Sequence, residues 1–352
     1  MLLAPGEPSI AWWRSVRAPG LTPTQEIERI AAAALAEDGE TDITTAVTVP
    51  PGTRAEGLIE YRDGGVLAGT VFADAVALAC RCTIEWQKVE GSTVAAGMPV
   101  GLIRGELAAI LRVERPMLNL LQRSCGIATT TRTYVDAVRG TNSRILHTRK
   151  TAPGLRALDV AAVIAGGGHR HRVDLAHELM VKDNHWQALG KEGLAQSLAE
   201  AKKRGVTALY VEVESVEQLK LACAAGATRL LVDNQPPETV RDWGRQARAL
   251  SPEIEIEATG GITLENVRDY AEAGADYISI GALTHSVRAA DIALEVRVQQ
   301  EKLAAAHPPK RVPERRYTQI GNCLPRIARI KSTDSSIFPD APIQEAEFRD
   351  SW

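Results

Sequence analysis

The sequence is defined first by what it lacks. None of its 352 residues belongs to an apolar run of eighteen or more, so no segment has the length that a membrane-spanning helix requires. Cysteines are few and odd in number: Cys80, Cys82, Cys125, Cys223 and Cys323. No two have the spacing of a zinc knuckle or of a disulfide framework, and a reduced, cytoplasmic compartment is expected. Neither charge sign dominates. The formal net charge of −3 gives no bulk attraction for nucleic acid. The opening MLLAPGEPSIAWWRSVRAPG has no charged start followed by an apolar run, so a secretory signal is not expected. What remains is ordinary globular composition, 45% hydrophobic and 24% charged, enough for a sizeable core. Aromatics are scarce, and alanine-rich runs suited to packed helices stand in their place.

Along the chain, residues 1–21 read as an irregular arm. TQEIERIAAAALA (24–36) has a polar start and apolar residues at helical spacing. Short strand-like runs separated by glycine follow in TRAEGLIEYRD, GGVLAG, CTIEWQKV and MPVGLIRG, which predicts a helix-plus-sheet module over 22–105. Glu106 to Arg139 reads as mainly helical, broken near Pro116 and Gly126. The second half changes rhythm. Strands are expected at 144–148, 178–182, 208–213, 229–233, 254–258 and 277–281, with helices at 191–204, 215–225, 237–250 and 263–273. Alternating strand and helix imply a parallel sheet with covering helices. From about His307 the chain is Pro-rich, first basic and then acidic, as in a solvated extension.

The strand ends carry the chemistry. They run into His147-Thr148-Arg149-Lys150, Lys182-Asp183-Asn184-His185, Glu212, Asp233-Asn234, Thr259-Gly260-Gly261 and Gly281. In a β/α barrel such ends converge on one face, whereas an open doubly wound sheet concentrates function at a switch point, so six functional ends favour the barrel. Gly166-Gly167-Gly168 lacks the spacing of a dinucleotide fingerprint. Residues 144–185 hold seven cations (Arg144, Arg149, Lys150, Arg156, Arg170, Arg172, Lys182) and five of the seven histidines (His147, His169, His171, His177, His185), against four acids. A solvated basic face is the plain alternative, but strand-end placement points to a pocket for a small polyanion. His169-x-His171 with His177 or His185 could ligate zinc, yet the adjacent cations and the lack of HExxH or cysteine ligands disfavour it. Glu212 and Asp233 are the counterweight: plain ion pairing with lysine, or recognition of sugar hydroxyls, phosphate-borne Mg²⁺ or a developing cation. The glycines at 260–261 and 281 leave backbone N–H groups open for phosphate. A polyanionic acid together with a phosphorylated sugar, reacting at an anomeric carbon, is the expected chemistry.

These residues stand in motifs that resemble the quinolinate phosphoribosyltransferase family, also called carboxylating nicotinate-nucleotide pyrophosphorylase. The likeness runs from about residue 24 to 300. It includes EDGETDITT (37–45), ERPMLNLLQRSCGIATTT (114–131), TRKTAPGLR (148–156), GGGHRHR (166–172), VKDNH (181–185), VDN (232–234), EATGGI (257–262) and GALTHS (281–286). It implies an α/β fold: an incomplete β/α barrel with an N-terminal α/β sandwich domain. The domains would be an arm at 1–21, a sandwich at 22–125 completed by a helix at about 288–306, a catalytic barrel at 126–287 and an extension at 307–352. It implies transfer from phosphoribosyl pyrophosphate to quinolinate with Mg²⁺, yielding nicotinate mononucleotide, CO₂ and pyrophosphate.

The resemblance also implies roles. Arg115 matches an arginine inserted into the partner subunit's site in a homodimer. Arg149, His171 and Arg172 match groups that grip the pyridine dicarboxylate, and Lys150 lies between that acid and the ribose phosphate. Lys182, Glu212 and Asp233 match groups around pyrophosphate, Mg²⁺ and ribose, with Mg²⁺ held directly or through water. Lys150, Glu212 and Asp233 are the expected catalytic residues. Thr259, Gly260, Gly261, Gly281 and His285 match the 5′-phosphate loops. Neither nucleic acid nor membrane is an expected partner.

The chain departs from the family pattern at four places. His147 replaces the acid of LDTRKT, Arg170 and Asp174 replace Asn and Gly of GGGxNHRxGL, Cys125 replaces a serine, and Thr259 replaces the serine of EASGG. The changes of charge leave open a phosphoribosyltransferase of the same fold acting on a different aromatic acid in a specialised pathway. A non-catalytic sensor of a phosphorylated ligand is a further alternative, opposed by the complete cationic set.

Overall fold

The computed structural model describes residues 22–172 and 174–299. The expected arm at 1–21, residues 300–306 of the expected last helix and the extension at 307–352 lie outside the described residues. The first elements are α1 (Pro23–Glu37), α2 (Ile43–Thr48), β1 (Arg54–Tyr61), β2 (Gly65–Val66), α3 (Thr70–Ala79), β3 (Thr83–Trp86), β4 (Thr93–Val94) and β5 (Met98–Glu106). α1 opens on a reciprocal cap. The Thr22 hydroxyl accepts from the Gln25 N–H at 3.3 Å, the Gln25 side chain accepts from the Thr22 N–H at 2.7 Å, and Pro23 takes the first helical position.

A long helix, α4 (Leu107–Ala137), follows. It runs unbroken through Pro116 and Gly126, where breaks are expected from sequence. Pro116 removes one helical hydrogen bond, but apolar burial continues on both sides of it: Ile110, Val113, Met117, Leu118 and Leu121 enter one core, and Ile127, Ala128 and Tyr134 enter a second. The boundary expected at 125/126 therefore falls inside a helix shared by both cores. Gly126 is a contact glycine, since a Cβ there would lie 2.1 Å from the Arg288 carbonyl oxygen.

The remaining elements are β6 (Arg144–Leu146), α5 (Arg156–Ala165), β7 (Leu179–Val181), α6 (Asp183–Lys203), β8 (Leu209–Val213), α7 (Val216–Ala224), β9 (Arg229–Asp233), α8 (Pro237–Leu250), β10 (Glu255–Thr259), α9 (Val267–Glu272), β11 (Tyr277–Ser279), α10 (Ala282–His285) and β12 (Ile292–Val298). The helix expected over 288–306 is corrected by β12. Ile292, Leu294, Val296 and Val298 recur at period two, and the segment pairs antiparallel with β1 from Tyr61↔Ile292 to Ala55↔Val298. It completes an antiparallel sheet of order β12-β1-β5-β3 that shares a core with α1, α3, α4 and α5.

The second sheet is parallel, in the order β6-β11-β10-β9-β8-β7. Its edge strands β6 and β7 are consecutive in the chain but do not pair, so the barrel stays open at that seam. Among the described residues no helix is long and apolar enough to cross a membrane. Replacing Gly126 by Ala should overpack the junction between α4 and the approach to β12. Thermal or denaturant unfolding should show a loss of about 1–3 kcal/mol.

Candidate active site

Side-chain alternation decides what the barrel presents. Val211, Val213, Leu230, Val232, Ile256, Ala258 and Ile278 join the core that also holds helix residues. Their neighbours Tyr210, Glu212, Arg229, Leu231, Asp233, Glu257 and Thr259 point to the opposite face, the barrel interior. At the C-terminal ends this places Glu212, Asp233 and Thr259 on three adjacent strands. Shallow cavities at the other end are lined by strand-start residues such as Arg144, Glu255 and Tyr277. They lie away from the catalytic face of this architecture.

Lys182 follows β7 and caps α6; its ammonium pairs with the buried Glu212 carboxylate. The Trp186 indole N–H donates to the Glu212 carbonyl at 2.8 Å and holds that strand end against α6. Asp233, one strand further on, has its carboxyl pushed up, chiefly by burial and next by Glu212, with Lys182 opposing. One cation thus serves two neighbouring carboxylates.

The expected phosphate loops flank this group. Gly260 and Gly261 adopt left-handed φ values of 82° and 62°. A Cβ on Gly260 would fall 2.3 Å from Asn234 Oδ1, so only glycine lets the two loops approach this closely. The helix expected from residue 263 starts at Val267, after a turn in which the Thr263 N–H donates to Asn266 Oδ1 at 2.8 Å. On the other side, a Cβ on Gly281 would lie 3.0 Å from the His285 ring and 3.2 Å from Lys150 Cδ. Lys150, Gly281 and His285 therefore share one corner. The Thr284 hydroxyl donates to the Lys150 carbonyl at 2.8 Å and fixes the two loops together.

The remaining cations meet beside them. Arg149 follows β6 and has a buried Nε with no acceptor among the described residues. The half-buried Arg172 guanidinium has its pKa pushed down, first by burial and then by the nearby Arg149 charge. His171 is buried and already engaged at both ring nitrogens: Nδ1 accepts from the Arg172 N–H at 2.7 Å, so Nε2 carries the proton that faces Glu257 at 3.1 Å. Arg115 stands apart. It is exposed on α4 and makes no hydrogen bond or ion pair among the described residues. Arg170 is exposed, and His177 pairs with Asp174 at 3.0 Å on the surface.

Comparison with known proteins decides which family uses this arrangement. Sequence models of the quinolinate phosphoribosyl transferase N-terminal and C-terminal domains match residues 42–125 and 127–295. The chain belongs to the quinolinate phosphoribosyl transferase family. It is 39% identical over 259 residues to the carboxylating nicotinate-nucleotide pyrophosphorylase of Mycobacterium leprae, covering 72% of this chain and 91% of that one. It is 42% identical over 216 residues to the probable enzyme of the same name from Bacillus subtilis, covering 61% and 74%. Among solved structures, NadC from Streptococcus pyogenes superposes with a TM-score of 0.72 at 32% identity, covering 80% of this chain and all of that one.

Several residues that matter to this family member escape sequence reasoning. Asp159 is fully buried and binds Arg123 through both oxygens, at 2.7 and 2.8 Å. Asp159 also accepts from the Ala152 N–H at 3.0 Å, and Arg123 donates to the Thr284 carbonyl at 3.1 Å. The pair ties the loop bearing Lys150 to the loop bearing His285. Glu257 and Arg229 form a buried pair at 3.1 Å beneath the site. The sequence signals for Glu257 are an acid inside the strand IEIEA and the first place of EATGGI (257–262).

Two of the departures of charge, Arg170 and His147, resolve differently. Arg170 points to solvent, whereas His147 is wholly buried, with burial pushing its pKa down to about 4. It is a neutral structural group. For Glu257, burial alone would raise the carboxyl, but His171, Arg229 and Ser279 outweigh it and hold the pKa at about 2.

Both pKa values are depressed relative to the unfolded chain, so both groups contribute stability that is lost as pH falls. For His147 the loss runs from pH 6.5 down to about 4, and for Glu257 from 4.5 down to about 2. Thermal melts across pH should show these windows in succession. His147→Gln should abolish the first, which has an upper size of about 3 kcal/mol.

Proposed function

We propose that this chain catalyses phosphoribosyl transfer from phosphoribosyl pyrophosphate to quinolinate with decarboxylation, the nicotinate mononucleotide-forming step of NAD biosynthesis. Family membership supports the reaction. The observation that carries it is Arg149: a buried guanidinium Nε–H without an acceptor among the described residues, beside a second guanidinium, at the mouth where Lys150 meets Gly281 and His285. A buried unpaired donor costs about 1–3 kcal/mol, and an acid ligand would remove that cost. This favours the aromatic acid at Arg149 and Arg172 and the ribose 5-phosphate at Thr259, Gly260, Gly261, Gly281 and His285.

The chemistry follows from charge. Two anions brought to about 4 Å repel by roughly 4 kcal/mol at an effective dielectric of 20. Lys150, placed between the two regions, offsets that repulsion and lets the pyridine nitrogen reach the ribose C1. Departure of pyrophosphate beside Lys182 leaves positive charge at C1, which Glu212 and Asp233 stabilise directly or through the ribose hydroxyls. Nitrogen attack makes the ring cationic. The C2 carboxylate then leaves as CO₂, its electron pair held by that ring, and a proton from water or Lys150 completes the product.

The donor set also fits a Mg²⁺ delivered on pyrophosphate. Among the described residues no group of three His, Cys, Asp or Glu side chains could hold a metal. Glu212 and Asp233 supply only two carboxylates, as for an ion that keeps waters and phosphate oxygens. When bound, Mg²⁺ would neutralise the departing pyrophosphate. The active unit we infer is a homodimer in which Arg115 completes the partner's site. Exposed Ile43 and Val47 on α2 and Leu111 one turn before Arg115 supply an apolar surface for that contact. Cys125 and Cys223 are in no disulfide among the described residues, which supports a cytoplasmic setting.

Incubation with Mg²⁺, phosphoribosyl pyrophosphate and quinolinate should release pyrophosphate and CO₂ in equal amounts. Pyrophosphate release with another aromatic acid, and none with quinolinate, would overturn the substrate assignment. Lys150→Ala should lower kcat by about 10²-fold or more, as for loss of one electrostatic group at the reacting centre. A wild-type rate would remove Lys150 from the site. Mixing inactive Arg115→Ala and inactive Lys182→Ala chains should restore activity through hybrid dimers. If hybrids form and stay inactive, the shared site is wrong.

A further inference from the structure

The barrel's open seam lies between β6 and β7, and the segment 169–172 runs along the β6 side of it. This segment begins as a strand would. The His169 N–H donates to the Ile145 carbonyl at 2.7 Å, and Leu146 and His169 form a parallel bridge. In a parallel ladder the next rung, two residues on, would join the His171 N–H to the His147 carbonyl. Here the rung goes to the His147 side chain: the His171 N–H donates to His147 Nε2 at 3.1 Å. The other ring nitrogen faces the Thr148 carbonyl at 3.1 Å. The two bonds fix the tautomer, with the proton on Nδ1 and a free lone pair on Nε2. A relay follows: Nε2 of His147 holds the backbone of His171, and Nδ1 of His171 holds the N–H of Arg172 at 2.7 Å. The His171 ring is fixed from its far side by Glu257.

We propose that His147 is a positioning residue for the aromatic-acid site: its imidazole replaces a backbone rung beside the barrel's open seam and, through His171, sets Arg172 beside Arg149. The side chain is wholly buried, so it acts through the residues it touches. Its effect is on geometry at residue 172, so it belongs to recognition of the acid and not of the sugar phosphate. This rests on the reading that Arg149 and Arg172 hold the aromatic acid. The position is also where the chain departs from the LDTRKT pattern. A neutral acceptor there keeps the rung without burying a charge.

The test separates the two substrates. His147→Leu removes the acceptor; His147→Gln retains one, because a glutamine Oε1 reaches the place of Nε2. His147→Leu should raise KM for quinolinate about tenfold, the size expected for one buried hydrogen bond. KM for phosphoribosyl pyrophosphate should stay within about twofold, and His147→Gln should recover most of the loss. The proposal is overturned if folded His147→Leu leaves the quinolinate KM unchanged, if both KM values rise together, or if Gln does no better than Leu.

A second measurement needs no variant that must fold. Nitrogen-15 NMR of histidine-labelled wild-type protein at pH 7 should show Nδ1–H at His147 and Nε2–H at His171. An Nε2–H at His147 also sinks the proposal. Arg172→Ala is the control for the underlying reading. If it leaves the quinolinate KM unchanged, the acid site is misplaced, whatever the tautomer of His147.

Discussion

Cations gathered at one mouth repel one another, and the barrel holds them there because negative charge is buried underneath. Glu257 is that charge. It faces His171 Nε2 at 3.1 Å and accepts from Arg229 at 3.1 Å and from the Ser279 hydroxyl at 2.5 Å. A buried carboxylate short of partners would cost several kcal/mol; with these partners it stays ionised. Arg229 is fixed in turn by Glu255 at 2.8 Å and by the Tyr277 and Tyr210 rings, 3.7 and 4.6 Å from its guanidinium carbon. Two carboxylates against one guanidinium leave the floor with an excess of negative charge, and Glu257 favours the charged form of Arg172 above it. The guanidiniums of Arg149 and Arg172 above it are left for a ligand.

The acids at the mouth divide the work among the cations. Glu212 takes Lys182, and Asp233 stands next to that pair. Lys150 is exposed, with no ion pair to an acid among the described residues, although its backbone is fixed through Thr284 and the Arg123–Asp159 pair. A paired lysine is held still with part of its charge spent. An unpaired one keeps its full field for whatever lies between the acid and the phosphate. That difference favours Lys150 over Lys182 as the group that counters repulsion between the two substrates.

Much of this is legible in the sequence because strand ends are marked. A short strand-like run that stops at Lys182, Glu212, Asp233 or Thr259 reports both the strand and the face on which it ends. What is not legible follows from competition between rules. Pro116 and Gly126 both signal a break, yet α4 continues because two cores bury its stripe. The segment after Ser286 carries few turn signals and passes for a helix, but its apolar residues alternate, and the free edge of β1 fixes it as β12. Arg123 lies within ERPMLNLLQRSCGIATTT and Glu257 opens EATGGI, but neither motif announces an ion pair, and Asp159 and Arg229 lie in no motif, since a buried ion pair is recognised only when both partners are placed. His147 reads as a changed charge in the sequence. Burial makes it a neutral hydrogen-bond acceptor, which no local pattern announces.

Helix α4 explains why the sandwich and the barrel belong together. Its first half buries Ile110, Val113 and Met117 in the sandwich core, and its second half buries Ile127 and Tyr134 in the barrel core. Arg115 and Arg123 lie eight residues apart on it, about 12 Å along the axis. Arg115 faces outward, while Arg123 reaches Asp159 and the Thr284 carbonyl under the mouth. A continuous helix cannot stretch, so the exposed arginine keeps a fixed distance from the loops of its own site. In the proposed homodimer each subunit would offer Arg115 from the same rigid rod that anchors its own Lys150 and His285 loops. Alignment of the partner's acid site would then be set by packing within each subunit's helix, and a break at Pro116 would uncouple the two.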